Sequence, residues 1–161
     1  MSSEKSKTFI LKSGKCSWGN CIYCGYGKIE GFTPTTENVN RDLDGFFKIV
    51  DDTTETVKIF GSGSFLDEKQ FPIDSQKHLV DLCKKHDIKK LLFESRPEFI
   101  TDETLKNFKD QDYTVAIGLE VADNKTLKDI KKGFTVEQFE KAADTIHKNN
   151  GKVRTYLLVN P

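Results

Sequence analysis

The sequence predicts one α/β domain built on a parallel sheet. Short apolar runs alternate with longer amphipathic stretches along the whole chain, and Gly, Pro or charged residues bound each run. Strand–helix alternation of this kind implies parallel pairing with right-handed crossovers, which leaves a doubly wound sheet or a complete or partial (β/α) barrel. At 161 residues the chain is long enough for one real core and too short for two comfortable ones.

The expected strands are Thr8–Leu11, Thr56–Phe60, Lys90–Glu94, Thr114–Leu119 and Val153–Val159, compact runs of the kind that are buried on both faces. Helices are expected at about Thr36–Val50, Asp74–His86, Asp102–Lys109 and Thr135–Asn149, with a shorter one within Asn124–Lys131. The Thr135–Asn149 helix is the clearest. Val136, Phe139, Ala143 and Ile146 form one stripe, Thr135 and Gln138 have capping-box spacing, and Gly151 is placed to close the far end. Pro161 follows directly on the last strand. An apolar strand left unprotected at an edge is rare, so the sequence reads as the front part of something longer.

Composition narrows the function classes. Hydrophobic residues make up 36% and charged residues 31%, and the formal net charge is zero. A neutral chain lacks the broad basic surface that drives simple nucleic-acid binding, although Lys and Arg can still gather on one face. No apolar run approaches the roughly 20 residues that span a bilayer, so a cytosolic, cytoplasmic protein is the expectation.

Three of the four cysteines fall in the segment Cys16-Ser-Trp-Gly-Asn-Cys21-Ile-Tyr-Cys24, just after the first strand. Without a secretion signal, such tight spacing reads as metal or redox chemistry rather than a disulfide framework. Three thiolates on one loop hold three irons of a cubane cluster and leave the fourth iron open to a small molecule. Gly14, Gly19, Gly25 and Gly27 allow the turns that wrap such a loop, and free amides to meet the sulfides. A structural zinc site with a fourth ligand is the main alternative, although zinc usually takes two separated ligand pairs. Dithiol chemistry on Cys21 and Cys24 is a third. Cys83 shares a helical stripe with Leu79 and Leu82 and is expected in the core. His86 and His147 fit helix C-terminal positions.

Later strand ends carry polar motifs of their own: Gly61-Ser62-Gly63-Ser64-Phe65-Leu66-Asp67, Glu94-Ser95-Arg96-Pro97-Glu98-Phe99-Ile100, Ile117-Gly118-Leu119-Glu120, then Lys132-Gly133-Phe134-Thr135 and the closing Tyr156-Leu157-Leu158. Taken with the cysteine loop and in this order, they resemble the radical S-adenosylmethionine (SAM) superfamily in its elongator-type branch. Within that branch they are similar to the archaeosine-biosynthesis radical SAM family of archaea. The four-residue interval between Cys16 and Cys21 is one longer than the superfamily's commonest.

The resemblance implies a partial (β/α) barrel of the radical SAM type, with about five of six parallel strands present and the C-terminal strand and cap missing from residues 1–161. It implies a 4Fe–4S cluster on Cys16, Cys21 and Cys24, and S-adenosyl-L-methionine bound at the strand ends. Tyr23 then lies beside the adenine. Gly61, Ser62, Gly63 and Ser64 offer backbone groups to the methionine ammonium. Glu94 suits the ribose hydroxyls and Arg96 a carboxylate, while Gly118 and Glu120 stand on the adenine-contact strand and Leu157 on the last one. By the same resemblance the partners are a low-potential electron donor, tRNA and a subunit that attaches lysine to a 7-deazaguanine base. The radical enzyme then cleaves the lysine adduct to leave archaeosine. Taken one at a time the residues also admit plainer readings: a Glu94–Arg96 surface pair, a simple turn at Gly61–Gly63, a helix-start acid at Glu120, a shielding ring at Trp18. A radical SAM enzyme of the same branch with another substrate, and a non-catalytic Fe–S or zinc module, are the rival functions.

Overall fold

The computed structural model describes residues 5–11 and 15–159; Gly14, Asn160 and Pro161, named above, lie outside them. The elements are β1 (Ser6–Ile10), α1 (Thr36–Phe47), β2 (Thr56–Phe60), α2 (Ile73–Lys85), β3 (Lys90–Glu94), α3 (Asp102–Leu105), β4 (Asp112–Glu120), α4 (Asn124–Asp129), α5 (Val136–Lys148) and β5 (Lys152–Leu157). Single 3₁₀ turns occupy Gly25–Gly27, Pro97–Phe99 and Lys106–Phe108. Among the described residues no helix is long and apolar enough to cross a membrane.

The five strands form one sheet in the order β1-β2-β3-β4-β5, and every neighbouring pair is parallel. A doubly wound sheet reverses direction partway along its strand order; this one never does. Successive right-handed crossovers then keep the helices on one face and curl the sheet, the arrangement of a partial (β/α) barrel. All C-terminal strand ends come to one rim.

Strand parity sorts side chains between the two faces. On β3, Leu91 and Phe93 join the core under the helices, whereas Glu94 faces the opposite side. On β4, Val115 and Ile117 go to the core, and Ala116 and Gly118 go with Glu94. The core is strongly aromatic. Phe65 lies 4.6 Å from Phe71 and 4.5 Å from Phe93, and Phe108 packs 5.0 Å from Phe93. Phe65 belongs to the loop leaving β2, so its burial, with the bond from its N–H to Glu94 O at 2.8 Å, seats the serines beside it at the rim. A smaller cluster of Leu119, Leu127, Ile130 and Phe134 fastens α4 to the end of β4.

The edge strands differ from expectation. The sequence suggests strands buried on both faces, but only Phe9 of β1 is buried, and β5 is exposed at nearly every position. They are the sheet's outermost strands, with one neighbour each. The third helix is also shorter than expected, four residues running into a 3₁₀ turn. α5 carries the expected capping box, with Ala142 and Ile146 its buried residues.

Three helices stop alike. Asp87, Lys131 and Asn150 follow α2, α4 and α5 in the left-handed region, and the next N–H reaches back to Cys83 O, Leu127 O and Ile146 O at 2.9 Å. Asn150 therefore supplies the turn expected of Gly151. Gly151 is needed for another reason: a Cβ there would stand 2.4 Å from the Tyr113 ring and 2.7 Å from Ile146 Cγ2. Gly151→Ala is expected to cost about 1–3 kcal/mol by overpacking. Asn150→Gly, which relieves a positive φ, should leave stability unchanged or slightly raised. Urea denaturation of the two variants checks both, and equal midpoints would contradict this division of labour.

Candidate functional site

A cleft of about 290 Å³ opens at the C-terminal rim, close to the small end of the usual ligand-pocket range. β2 contributes Ser62, Gly63 and Ser64 just past its end; β3 contributes Glu94, Ser95 and Arg96; β4 contributes Ala116, Gly118 and Glu120. Tyr156 comes from β5, Lys132 from the turn after α4, and Cys16, Cys21, Tyr23, Cys24 and Tyr26 from the loop after β1. Eleven of the thirteen residues that sequence reasoning assigns to cofactor or metal meet on this one wall. Gly61 lies instead beside Leu11, and Leu157 is 63% exposed, with its neighbour Tyr156 facing the cleft.

The cysteine loop is nearly without regular structure, so its shape comes from its contacts. Cys16 N–H donates to Tyr26 O at 2.9 Å, closing the loop on itself. Gly19 has φ +64°, and a Cβ on Gly27 would stand 2.0 Å from Gly19 O, so the strands of the loop cross where no side chain fits. On one flank Gln70 Nε2 donates to Lys15 O at 2.9 Å, and Ser17 Oγ donates to the buried Asp67 carboxylate. On the other flank Ile22 N–H donates to Ile130 O at 3.1 Å and the Trp18 indole N–H to Lys131 O at 2.8 Å.

The three thiols are free and half-buried. Burial raises the Cys21 pKa; the positive Lys132 and Arg96 oppose that, and Cys24 and Cys16 add to it. Cys83 is fully buried on α2, away from the cleft, and burial pushes its thiol up to about 12. None of the three histidines lines the cleft: His78 meets Asp44 at 2.8 Å, His86 packs on Phe47, and His147 is exposed at the end of α5. Among the described residues no three His, Cys, Asp or Glu side chains close tightly enough to hold a single ion.

Two buried charged groups organise the rest. Lys132 Nζ lies 2.8 Å from Glu120 Oε1 and donates to Tyr23 OH at 3.0 Å, with the two charged side chains only 10% and 12% exposed. Glu120 sits at φ +70° beside the bulge between β4 and β5, so it is no helix-start acid. A Cβ on Gly118 would stand 2.5 Å from its carboxylate, so glycine makes room for the pair. Burial, then the Glu120 charge, drives the Tyr23 hydroxyl far above the usual phenol range.

The second group is Arg96. Its guanidinium lies 5.1 Å from the Trp18 ring centroid and 5.2 Å from that of Phe134, and Nε pairs with Glu98. Its Nη2 is buried with no hydrogen-bond partner among the described residues. Orphaned donors of this kind are costly, and a ligand oxygen in the cleft would satisfy it. Glu94 does not pair with Arg96. It accepts from the Tyr156 hydroxyl, and burial raises its pKa against that hydrogen bond.

Sequence reasoning missed Lys132, Tyr156 and Asp67 as parts of the site. Lys132 stands 12 residues from Glu120 and 109 from Tyr23, so no local spacing announces it. Tyr156 adjoins Leu157 and pairs with Gly118, next to the register shift at Gly118/Glu120.

The family model for the radical SAM superfamily matches residues 10–160. Archaeosine synthase subunit beta of Methanosarcina acetivorans is 35% identical over 98% of this chain and 49% of its own length. The protein of the same name from Thermococcus kodakarensis is 36% identical over 65% of this chain and 34% of its own. The chain thus spans about half the length of such relatives or less. Among solved structures, the cobalamin-dependent S-adenosylmethionine radical enzyme OxsB superposes with a TM-score of 0.69 at 18% identity, over 94% of this chain and 23% of that one. With strand order, rim cysteines and family match in agreement, the chain belongs to the radical SAM superfamily.

Proposed function

We propose that this chain holds a 4Fe–4S cluster on Cys16, Cys21 and Cys24 and binds S-adenosylmethionine in the adjoining cleft for reductive cleavage. The observation that carries the reading is the meeting, in one cleft, of three free thiols and a buried guanidinium with an unused donor. Thiolates are the donors that Fe–S clusters take, and three of them leave one iron for a chelating ligand. When bound, such a cluster supplies the single electron that breaks the sulfonium–adenosyl bond, giving methionine and a 5′-deoxyadenosyl radical.

The chain's own residues bind and orient. Arg96 Nη2 takes the methionine carboxylate, and the backbone around Ser62–Ser64 takes the ammonium. Glu94, held by Tyr156, serves the ribose hydroxyls. Gly118 leaves a flat wall for adenine, and Tyr23 is set beside it by Lys132. Trp18 and Phe134 cover the guanidinium and keep water from it, which strengthens its hold on an anion.

For the substrate, the relatives named archaeosine synthase subunit beta support tRNA base modification, with archaeosine formed from a lysine-modified 7-deazaguanine. A name that specifies a subunit supports a partner chain, here the one that transfers lysine to the tRNA. A low-potential donor completes the requirement, and the cytoplasm is the compartment that suits all three. The zero net charge favours a partner, rather than this chain, as the main tRNA-binding surface.

Anaerobic reconstitution tests the core reading. About four irons per chain and formation of 5′-deoxyadenosine with dithionite are expected; one zinc and no response to S-adenosylmethionine would overturn it. Cys16→Ala, Cys21→Ala and Cys24→Ala should each lose the brown chromophore, and Cys83→Ala should keep it. Arg96→Gln should still load iron but bind S-adenosylmethionine about 10- to 100-fold more weakly in equilibrium dialysis, the loss typical of one charge-assisted hydrogen bond.

A further inference from the structure

Trp18 has three attachments, two to the turn after α4 and one to Arg96. Its indole N–H donates to Lys131 O, on the turn after α4, at 2.8 Å. Its ring lies against the backbone of Gly133, where φ is +82° and a Cβ would stand 2.2 Å from Cζ2. The same ring lies 5.1 Å from the Arg96 guanidinium, whose other neighbour is Phe134. Trp18 is itself part of the cysteine loop, between Cys16 and Cys21. One rigid side chain thus joins the metal-binding loop, the rim turn and the anion-binding group.

A guanidinium on a flexible stem loses rotamer freedom on binding, and a planar stack removes that freedom in advance. Among the described residues the Arg96 guanidinium has one hydrogen-bonded tether, from Nε to Glu98, which leaves its plane to the aromatic neighbours. The position of Trp18 in turn depends on how the cysteine loop docks on the turn Ile130–Gly133, through Ile22 as well as through the indole N–H. Loop order and guanidinium order therefore share one element.

We propose that Trp18 is a positioning residue that couples the cysteine loop to Arg96, so that an ordered loop presents the guanidinium correctly to the carboxylate of the bound ligand. The inference rests on the reading of the cleft as a cluster and S-adenosylmethionine site. It adds that the contribution of Trp18 to ligand affinity passes through Arg96, whereas a ring that merely shields the loop or supports folding would act whatever stands at position 96.

A double-mutant cycle separates these roles. Wild-type protein, Trp18→Ala, Arg96→Gln and the double variant are reconstituted anaerobically. Iron per chain is measured, and the Kd for S-adenosylmethionine is taken per loaded chain by equilibrium dialysis. Trp18→Ala is expected to weaken binding about 3- to 30-fold when Arg96 is present, the range of a partly to fully desolvated cation–π contact. In the Arg96→Gln background the same change should shift Kd less than about twofold. Trp18→Phe keeps a ring at this place and serves in the same cycle should Trp18→Ala load poorly; its loss should be smaller and should again vanish without Arg96. An equal loss in both backgrounds, or none in either, overturns the coupling while the cluster reading stands. A wild-type protein that takes no iron or ignores S-adenosylmethionine overturns both.

Discussion

Strict sequential order in a parallel sheet is the constraint on which everything at the mouth depends. Because every neighbour is the next strand in the chain, each crossover returns on the same side and each strand ends at the same rim. Residues far apart in sequence, such as Ser64, Glu94 and Gly118, are thereby brought to one cleft. Parity completes the arrangement. Phe93 and Val115 are drawn into the aromatic core beneath the helices, which turns Glu94 and Ala116 to the opposite face. Hydrophobic burial thus aims the polar groups.

The cysteine loop is a different kind of structure. It buries little of its own surface, with Ile22, Tyr23 and Tyr26 exposed, and it is held by hydrogen bonds on two flanks. Gln70 and Asp67 grip it from the β2 side; Ile130, Lys131 and Lys132 grip it from the α4 side. The second grip depends on the small cluster of Leu119, Leu127, Ile130 and Phe134, which fixes α4 on β4. A satellite core far from the cysteines in sequence decides where they stand.

Electrostatics at the site are local. A chain of zero net charge still places Lys132 and Arg96 near Cys21, opposing the effect of burial on its thiol. Lys132 is paired with Glu120, as a buried charge has to be, and that pair in turn holds Tyr23. Among the described residues Arg96 is paired at Nε and unpaired at Nη2, which is where the unused capacity of the cleft lies.

The elements themselves were legible in the sequence, because their signals are local. Apolar runs marked all five strands, a 3.6-residue stripe and Thr135 with Gln138 marked α5, and Leu79, Leu82 and Cys83 marked the buried side of α2. The cysteine spacing by itself pointed to metal or redox chemistry, and the family resemblance, carried by the Gly–Ser, Glu–Ser–Arg and Gly–Leu–Glu strand ends, named most of the cleft. The run pattern alone left barrel and doubly wound sheet open, since strand order is a property of pairing and leaves no mark in any one run; the family resemblance implied the partial barrel, and the sequential strand order bears it out. The tertiary structure alone turned Tyr156 to the cleft beside the exposed Leu157, and it recruited Lys132, Asp67 and the stack on Arg96. Those placements depend on register across a bulge and on contacts such as Ser17–Asp67 and Tyr23–Lys132, 50 and 109 residues apart, distances over which no sequence periodicity carries information.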